Sequence, residues 1–598
     1  MINYTMHNCK ITSGFFAQKQ QINAENTIPN VYARFTETGR FKALKCKNEE
    51  PHSHIYWDSD VAKWLEAAAY LLSRKDDKQI RAWYDEAVED ILANQLENGY
   101  FNSHFQVYEP DQIFTRRHDH ELYCAGHFFE AAVAASEYLH DDRLLRFAEK
   151  YVDYIFERFV IKQDTAFISS GHQEIEIALL RLYEYTKQEK YKDLAMFFLN
   201  NRGKDHDEHD IHTQSFAPVR EQSKAQGHAV RAHYLYTAMA QAAYLTGDRD
   251  LRVACEKLFD DVVQKKMYVT GGTGSSYTGE RFSSAYDLPN ERAYAETCAS
   301  IGLVFFAHQM FRLTGEAKYA HVLERALYNG VSSGVSLDGT SFFYTNPLEV
   351  SKERLLYNAS LPAFREPSPI LQRVKVFYCS CCPPNICRFF EEINSYIWYA
   401  NEEKNELVLS QYISSNLTSP VANVRLDSGL PTDGKLKITL NSHGKNITFK
   451  VRKPEWCEKT FTNEKGEYLI FTGVFNDQTI EIEFPLVLRK VYANPLVQAN
   501  TGKVVLSYGP LVLCAEGIDN AFPLQTAHIG SIENAVLLKN EDSRYAISAK
   551  IPVSVSVPTD ELYTFTQHKT KEETLTLIPY FAWANRGETD MQIWFPQE

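Results

Sequence analysis

A toroid of helical hairpins followed by a β-sandwich is the fold class this sequence predicts, and three observations carry that reading. From about Asp58 to Ala400, apolar residues recur every three to four positions. Within that stretch a helix, a short polar turn and a second helix follow one another repeatedly. Beyond Ala400 the spacing changes to apolar–polar alternation. At 598 residues the chain also exceeds what one hydrophobic core sustains, so more than one domain is expected.

The helical half is amphipathic. Val61, Trp64, Leu65, Ala68, Leu71 and Leu72 share the spacing of one helix face, as do Phe128, Phe129, Ala132, Val133 and Leu139. Polar turns stand at Leu72-Ser73-Arg74-Lys75-Asp76, Leu139-His140-Asp141-Asp142-Arg143, Tyr185-Thr186-Lys187-Gln188-Glu189, Leu245-Thr246-Gly247-Asp248-Arg249 and Leu313-Thr314-Gly315-Glu316-Ala317. Each hairpin can bury its apolar face only against its neighbours, which favours a closed array. A polar stretch from Asn401 to Asn405 marks the boundary. Alternating runs follow at Glu406 to Ser410, Lys435 to Leu440, Ile447 to Val451, Thr479 to Phe484 and Lys503 to Tyr508, with turn residues between them.

Composition narrows the function. Sixty-three Lys and Arg against seventy-seven Asp and Glu leave a net charge of −14, with no dense basic stretch, so nucleic acid is not an expected partner. Met1 to Phe16 carries polar residues throughout and lacks the apolar run of a secretory signal, and no segment reaches about 18 consecutive apolar residues, so the expected compartment is the cytoplasm, with no membrane partner. Aromatic residues make up 13% of the chain; stacking on sugar rings is one use for them, core packing the commoner one.

Of eleven cysteines, six are scattered singly, as reduced buried thiols are. The others cluster. Cys379-Ser380-Cys381-Cys382-Pro383-Pro384-Asn385-Ile386-Cys387 sets adjacent thiols on a stiff turn before a helix. Vicinal thiols pair poorly with each other but can share a soft cation, and zinc wants four ligands of this kind. Glu296 and Cys298, two residues apart, can supply the remainder. Glu280 follows a glycine-rich loop, Gly271-Gly272-Thr273-Gly274, in a long irregular stretch of the sort that carries catalytic groups.

Several motifs in one order resemble glycoside hydrolase family 127, the β-L-arabinofuranosidases. They are Asp58-Ser59-Asp60-Val61-Ala62-Lys63-Trp64, His120-Glu121-Leu122-Tyr123, Gly171-His172, Gly227-His228, Tyr286-Asp287-Leu288-Pro289-Asn290, the vicinal cysteines, and Trp583-Ala584-Asn585-Arg586-Gly587. The resemblance implies an (α/α)6 barrel over 21–400 and a β-sandwich region over 401–598, with segment 1–20 packing on the sandwich. It implies zinc held by Glu296, Cys298, Cys381 and Cys382, with Cys381 as nucleophile and Glu280 as acid/base. Sugar hydroxyls would fall to His120, His172, His228, Glu324 and Tyr344, with His127 the alternative to His120, while Cys379 and Cys387 stay outside the metal set. The implied partner is a small carbohydrate; the oligomeric state, a homodimer included, stays open.

The residues alone leave other readings. Four converging ligands more often make a closed structural zinc site than a reactive one. Histidines at helix starts are commonly caps. Helical toroids also house sugar epimerases and uronyl hydrolases, which need no zinc, and a non-catalytic sugar-binding scaffold remains a third class.

Overall fold

The computed structural model describes residues 1–204, 207–353, 371–375, 380–539 and 545–598. Among these, six helices close an inner ring: α1 (Trp57–Arg74), α2 (Glu121–Leu139), α3 (Ile175–Thr186), α4 (Ala229–Thr246), α5 (Thr297–Thr314) and α6 (Cys382–Glu392). Each packs on the next, and α6 returns to α1. Their composition shows why they are inside: in α1 every residue from Trp57 to Leu72 is buried, polar ones included. The helix that follows it, Lys78–Asn94, buries only Ile80, Tyr84, Ala87, Val88 and Ile91, the single stripe of an outer-layer helix.

The predicted polar turns join inner to outer helices. Asp77 and Asp248 end two of them by accepting hydrogen bonds from the first free backbone N–H groups of the helices that follow. Five inner helices are thus followed directly by outer partners. The sixth pairing was invisible to local periodicity. The outer cover of α6 comes from the start of the chain, Phe15–Ile22 and Ile28–Glu37, joined by a short π-helical stretch. Gln20 and Asn23 hold it there, donating to backbone carbonyls of α6 at Phe390, Glu391 and Cys387. Reading the helices from Asp58 onward missed this segment because its partner lies more than 340 residues away in the chain.

Two β units follow. The first has a six-stranded and a five-stranded sheet, in which the N-terminal strands Ile2–Asn3 and Cys9–Ile11 are one edge each and the other nine strands lie between Trp398 and Glu483. The second unit, from Leu488 to Pro596, is built around antiparallel strands Lys503–Tyr508, Leu511–Glu516, Thr570–Pro579 and Ile547–Ser556. It also receives a strand from the barrel, since Glu349–Val350 pairs with Met591–Gln592. Among the described residues no helix is long and apolar enough to cross a membrane.

The barrel is pinned to the first β unit by a buried ion pair. Arg452, fully buried, donates to Glu324 Oε1 at 2.8 Å and to the Ser410 carbonyl at 2.7 Å, while the Trp456 indole donates to Glu324 Oε2 at 3.0 Å. Glu324→Ala leaves that guanidinium uncompensated, and the expected loss is about 3–5 kcal/mol, read as a lowered denaturant midpoint. Replacing both partners by apolar residues of similar volume, Glu324→Leu with Arg452→Met, should recover most of it.

Candidate active site

All six inner helices begin at the same mouth, and the candidate residues sit at those beginnings. His120 immediately precedes α2, His228 caps α4, Glu296 precedes α5 with Cys298 in its first turn, and Cys381 precedes α6, whose first residue is Cys382. His172 lies in the loop that enters α3. Pro383 and Pro384 fall in the first turn of α6, where a missing N–H costs nothing.

The glycines before two of the histidines have a steric cause. A Cβ at Gly171 would stand 2.1 Å from the Arg117 carbonyl oxygen, and one at Gly227, whose φ is +73°, would stand 1.9 Å from that of Ile211. Only glycine lets these strands pass closely enough to present His172 and His228 inward. Three non-glycine residues at the site also adopt left-handed backbone: His120 at φ 64°, Glu280 at 52° and Ala295 at 39°. Such strain persists where the surroundings dictate it, and it concentrates at functional sites. At Glu280 the surroundings are two backbone bonds to the start of α4, from Ala229 N to Glu280 O at 2.9 Å and from Phe282 N to Gly227 O at 3.0 Å.

These clips bring Glu280 to His228. The His228 Nδ1 accepts from the backbone N–H of Val230 at 3.2 Å and Arg231 at 3.4 Å, so the ring proton resides on Nε2. Nε2 then donates to Glu280 Oε2 at 2.7 Å. Burial pushes the Glu280 carboxyl up, but the hydrogen bond from His228, with that of Tyr294 and the charge of Arg231, outweighs it and holds it below the usual carboxylate range. Burial first, then the charge of Arg231, drives His120 and His172 well below ordinary imidazole values, so both are neutral near pH 7. The rings of His120, His172 and His228 stand in sequence with centroids 5.7 Å apart. His127 is set deeper in the barrel, against Tyr123 and within 3.1 Å of Glu174, so His120 is the one at the mouth.

Beside them four donors converge. Single donor atoms from Glu296, Cys298, Cys381 and Cys382 all lie within 4.8 Å of one another. Sulfur separations are 3.4 Å for Cys298 and Cys382 and 3.8 Å for Cys381 and Cys382; Glu296 Oε1 is 3.5 Å from the Cys381 sulfur and 3.7 Å from that of Cys382. A tetrahedral ion with metal–sulfur bonds of about 2.3 Å sets sulfurs about 3.8 Å apart and sulfur and oxygen about 3.5 Å apart. The donor set therefore fits a metal ion. Cys298 and Cys382 are buried, whereas Cys381 is partly exposed, with the Tyr344 hydroxyl 3.5 Å from its sulfur. Glu280 and His228 reach the same cluster through Glu296, all three within 4.8 Å of one another.

Comparison with known proteins gives the family. Residues 8–395 match the β-L-arabinofuranosidase catalytic domain of GH127, and residues 488–596 match the glycoside hydrolase family 127 C-terminal domain. The chain belongs to glycoside hydrolase family 127. Within that family it is 31% identical to the non-reducing end β-L-arabinofuranosidase of Bifidobacterium longum, over 91% of this chain and 90% of the relative. The crystal structure of a GH127 β-L-arabinofuranosidase from Geobacillus stearothermophilus T6 superposes with a TM-score of 0.93 at 34% identity, covering 99% of this chain and all of that one. A further GH127 β-arabinofuranosidase gives 0.91 at 31% identity, covering all of this chain and 98% of its own.

One expected member of the GH127 site is corrected. Glu324 does not face the mouth; it sits on the outer helix Ala317–Arg325, and both its oxygens are taken by Arg452 and Trp456. Cys387 is buried outside the four-donor group, with its backbone carbonyl bound by Asn23, and Cys379 lies outside the described residues. Sequence reasoning passed over Tyr123, whose ring packs 4.1 Å from that of His172, and Arg231, which donates to the Gly171 carbonyl at 2.9 Å. Tyr123 lies within a quoted motif and Arg231 three residues beyond one, but nothing in their spacing distinguishes them from core residues. In metal-free protein, limited alkylation should modify Cys381 well before Cys298 and Cys382, because it is the one residue of the three that is not buried; peptide mapping by mass spectrometry reads the order.

Proposed function

We propose that the chain is a retaining hydrolase of terminal β-L-arabinofuranosides in which Cys381 is the nucleophile and Glu280 the acid/base. The partial exposure of Cys381 carries the reading: a closed structural site would bury all its donors, and here one of the four is partly exposed while Glu296 joins the group to Glu280 and His228. The furanoside assignment rests on the relatives named β-L-arabinofuranosidase.

Zinc bound by Glu296, Cys298, Cys381 and Cys382 would supply a lowered thiol pKa, so that Cys381 is a thiolate at neutral pH. Cys381 Sγ attacks the anomeric carbon as the glycosidic C–O bond breaks. Glu280 gives its proton to the departing oxygen, and as a carboxylate it then takes one from water, whose oxygen displaces sulfur at the same carbon. Two displacements return the original configuration. Neutral His120, His172 and His228, with Tyr344, offer donors and acceptors for sugar hydroxyls without adding positive charge that would oppose an oxocarbenium-like transition state. In the free enzyme the His228 bond favours the ionised carboxyl, so Glu280 must take up a proton from solvent as substrate displaces that bond before it can give one to the leaving oxygen. Action in the cytoplasm on small arabinosides belongs to this proposal and is in keeping with the ten free cysteines among the described residues.

Purified protein should carry about one zinc per chain, lost with activity under a strong chelator; an active metal-free protein removes the mechanism. Proton NMR of early product should show retained anomeric configuration, and an electrophilic furanose mimic should label Cys381 once. Inverted product, or an adduct on Glu280, returns the metal to a structural role. Glu280→Gln should cost about 100-fold or more on alkyl arabinosides and far less on nitrophenyl ones, whose leaving group needs little protonation. Equal losses on both would remove the acid role from Glu280.

A further inference from the structure

Asn385 stands one turn into α6, directly after Cys381-Cys382-Pro383-Pro384, and is fully buried. Arg388 Nε donates to its Oδ1 at 2.8 Å. A guanidinium has no acceptor, so the amide oxygen must be the atom facing it, which fixes the other end of the carboxamide. Nδ2 therefore points at the Cys298 sulfur, 3.3 Å away, with the Tyr234 hydroxyl at 3.4 Å. Arg388 is locked in turn: its other nitrogens donate to Glu66 Oε2 at 2.9 Å and to the Tyr234 hydroxyl at 3.2 Å. Glu66 Oε1 takes Arg181 at 2.8 Å and the Tyr70 hydroxyl at 3.0 Å. Glu66, Tyr70, Tyr234, Asn385 and Arg388 are all buried, so water does not compete for these bonds.

We infer that Asn385 is a positioning residue for the metal site, donating an N–H···S hydrogen bond to the Cys298 thiolate, and that Arg388 and Glu66 dictate the sense of that bond. The inference rests on the metal–thiolate reading above. A donor aimed at this sulfur is matched to a thiolate rather than a thiol. Outer-shell donors of this kind orient a ligand and temper its charge. Here three thiolates and a carboxylate surround one divalent ion, and Asn385 draws electron density from the sulfur that takes no part in bond making. The same turn of α6 thus carries two ligands and the group that orients a third.

Cobalt-substituted protein tests this without reference to turnover. In Asn385→Ala the sulfur-to-cobalt charge-transfer band should move to lower energy, because an unbonded thiolate is easier to oxidise, and zinc affinity by chelator competition should fall about 10–100-fold. Arg388→Lys keeps the charge but removes the Nε contact that holds the amide, so it should give a smaller shift of the same sign. An unchanged band and affinity in folded Asn385→Ala overturn the inference; if that variant does not fold, an unchanged band in Arg388→Lys does so. Wild-type protein that binds neither zinc nor cobalt at the cluster overturns the metal reading itself, an outcome distinct from both.

Discussion

The ion pair between Arg388 on α6 and Glu66 on α1 joins the last inner helix to the first, across more than 300 residues of chain. Without α6 in place the ring is an open crescent, and the two adjacent thiols that begin α6 have no position relative to Glu296 and Cys298 on α5. Isolated, such a pair would be costly, since both groups leave water. It is sustained because every partner has others: Arg181 bridges Glu66 and Glu130, and Tyr70 and Tyr234 supply hydroxyls. The polar interior of the barrel is therefore the device that sets the register of the site at its mouth.

The mouth collects positive ends of helix dipoles. Six N-termini converge there, each equivalent to about half a charge, which favours the carboxylate and thiolates placed among them. Burial keeps the histidines uncharged in the same space. The result separates two tasks: negative charge gathers on one wall, at Glu296 and the cysteines, and neutral hydrogen-bonding rings line the adjoining one.

Much of this was legible in the sequence where the signal is local. Adjacent Cys381 and Cys382, and Glu296 two residues from Cys298, announce convergence because each pair enters a single helix turn. The hairpin turns announced the barrel because inner and outer helices follow one another. What was illegible depends on distant partners: Phe15–Ile22 covers a helix hundreds of residues away, and Asn385 acquires its orientation only from Arg388. Glu324 shows the complementary failure. Resemblance transferred a position and a residue type, but the direction of the side chain is set by Arg452 and Trp456, which lie in another unit of the chain.

The strand Glu349–Val350 pairs with Met591–Gln592, and Arg373 donates to the Trp583 carbonyl at 2.6 Å. During synthesis the polypeptide leaves the ribosome from its N-terminus, so α1 to α5 emerge long before these partners exist. The strand Glu349–Val350 and the Arg373 side chain therefore cannot take their final places until residues 583–592 have been made. For that interval the strand Glu349–Val350 lacks its partner, and an unpaired strand edge invites premature association. A chain cut short within the β region would carry every residue of the site but lack the partners of Glu349–Val350 and Arg373.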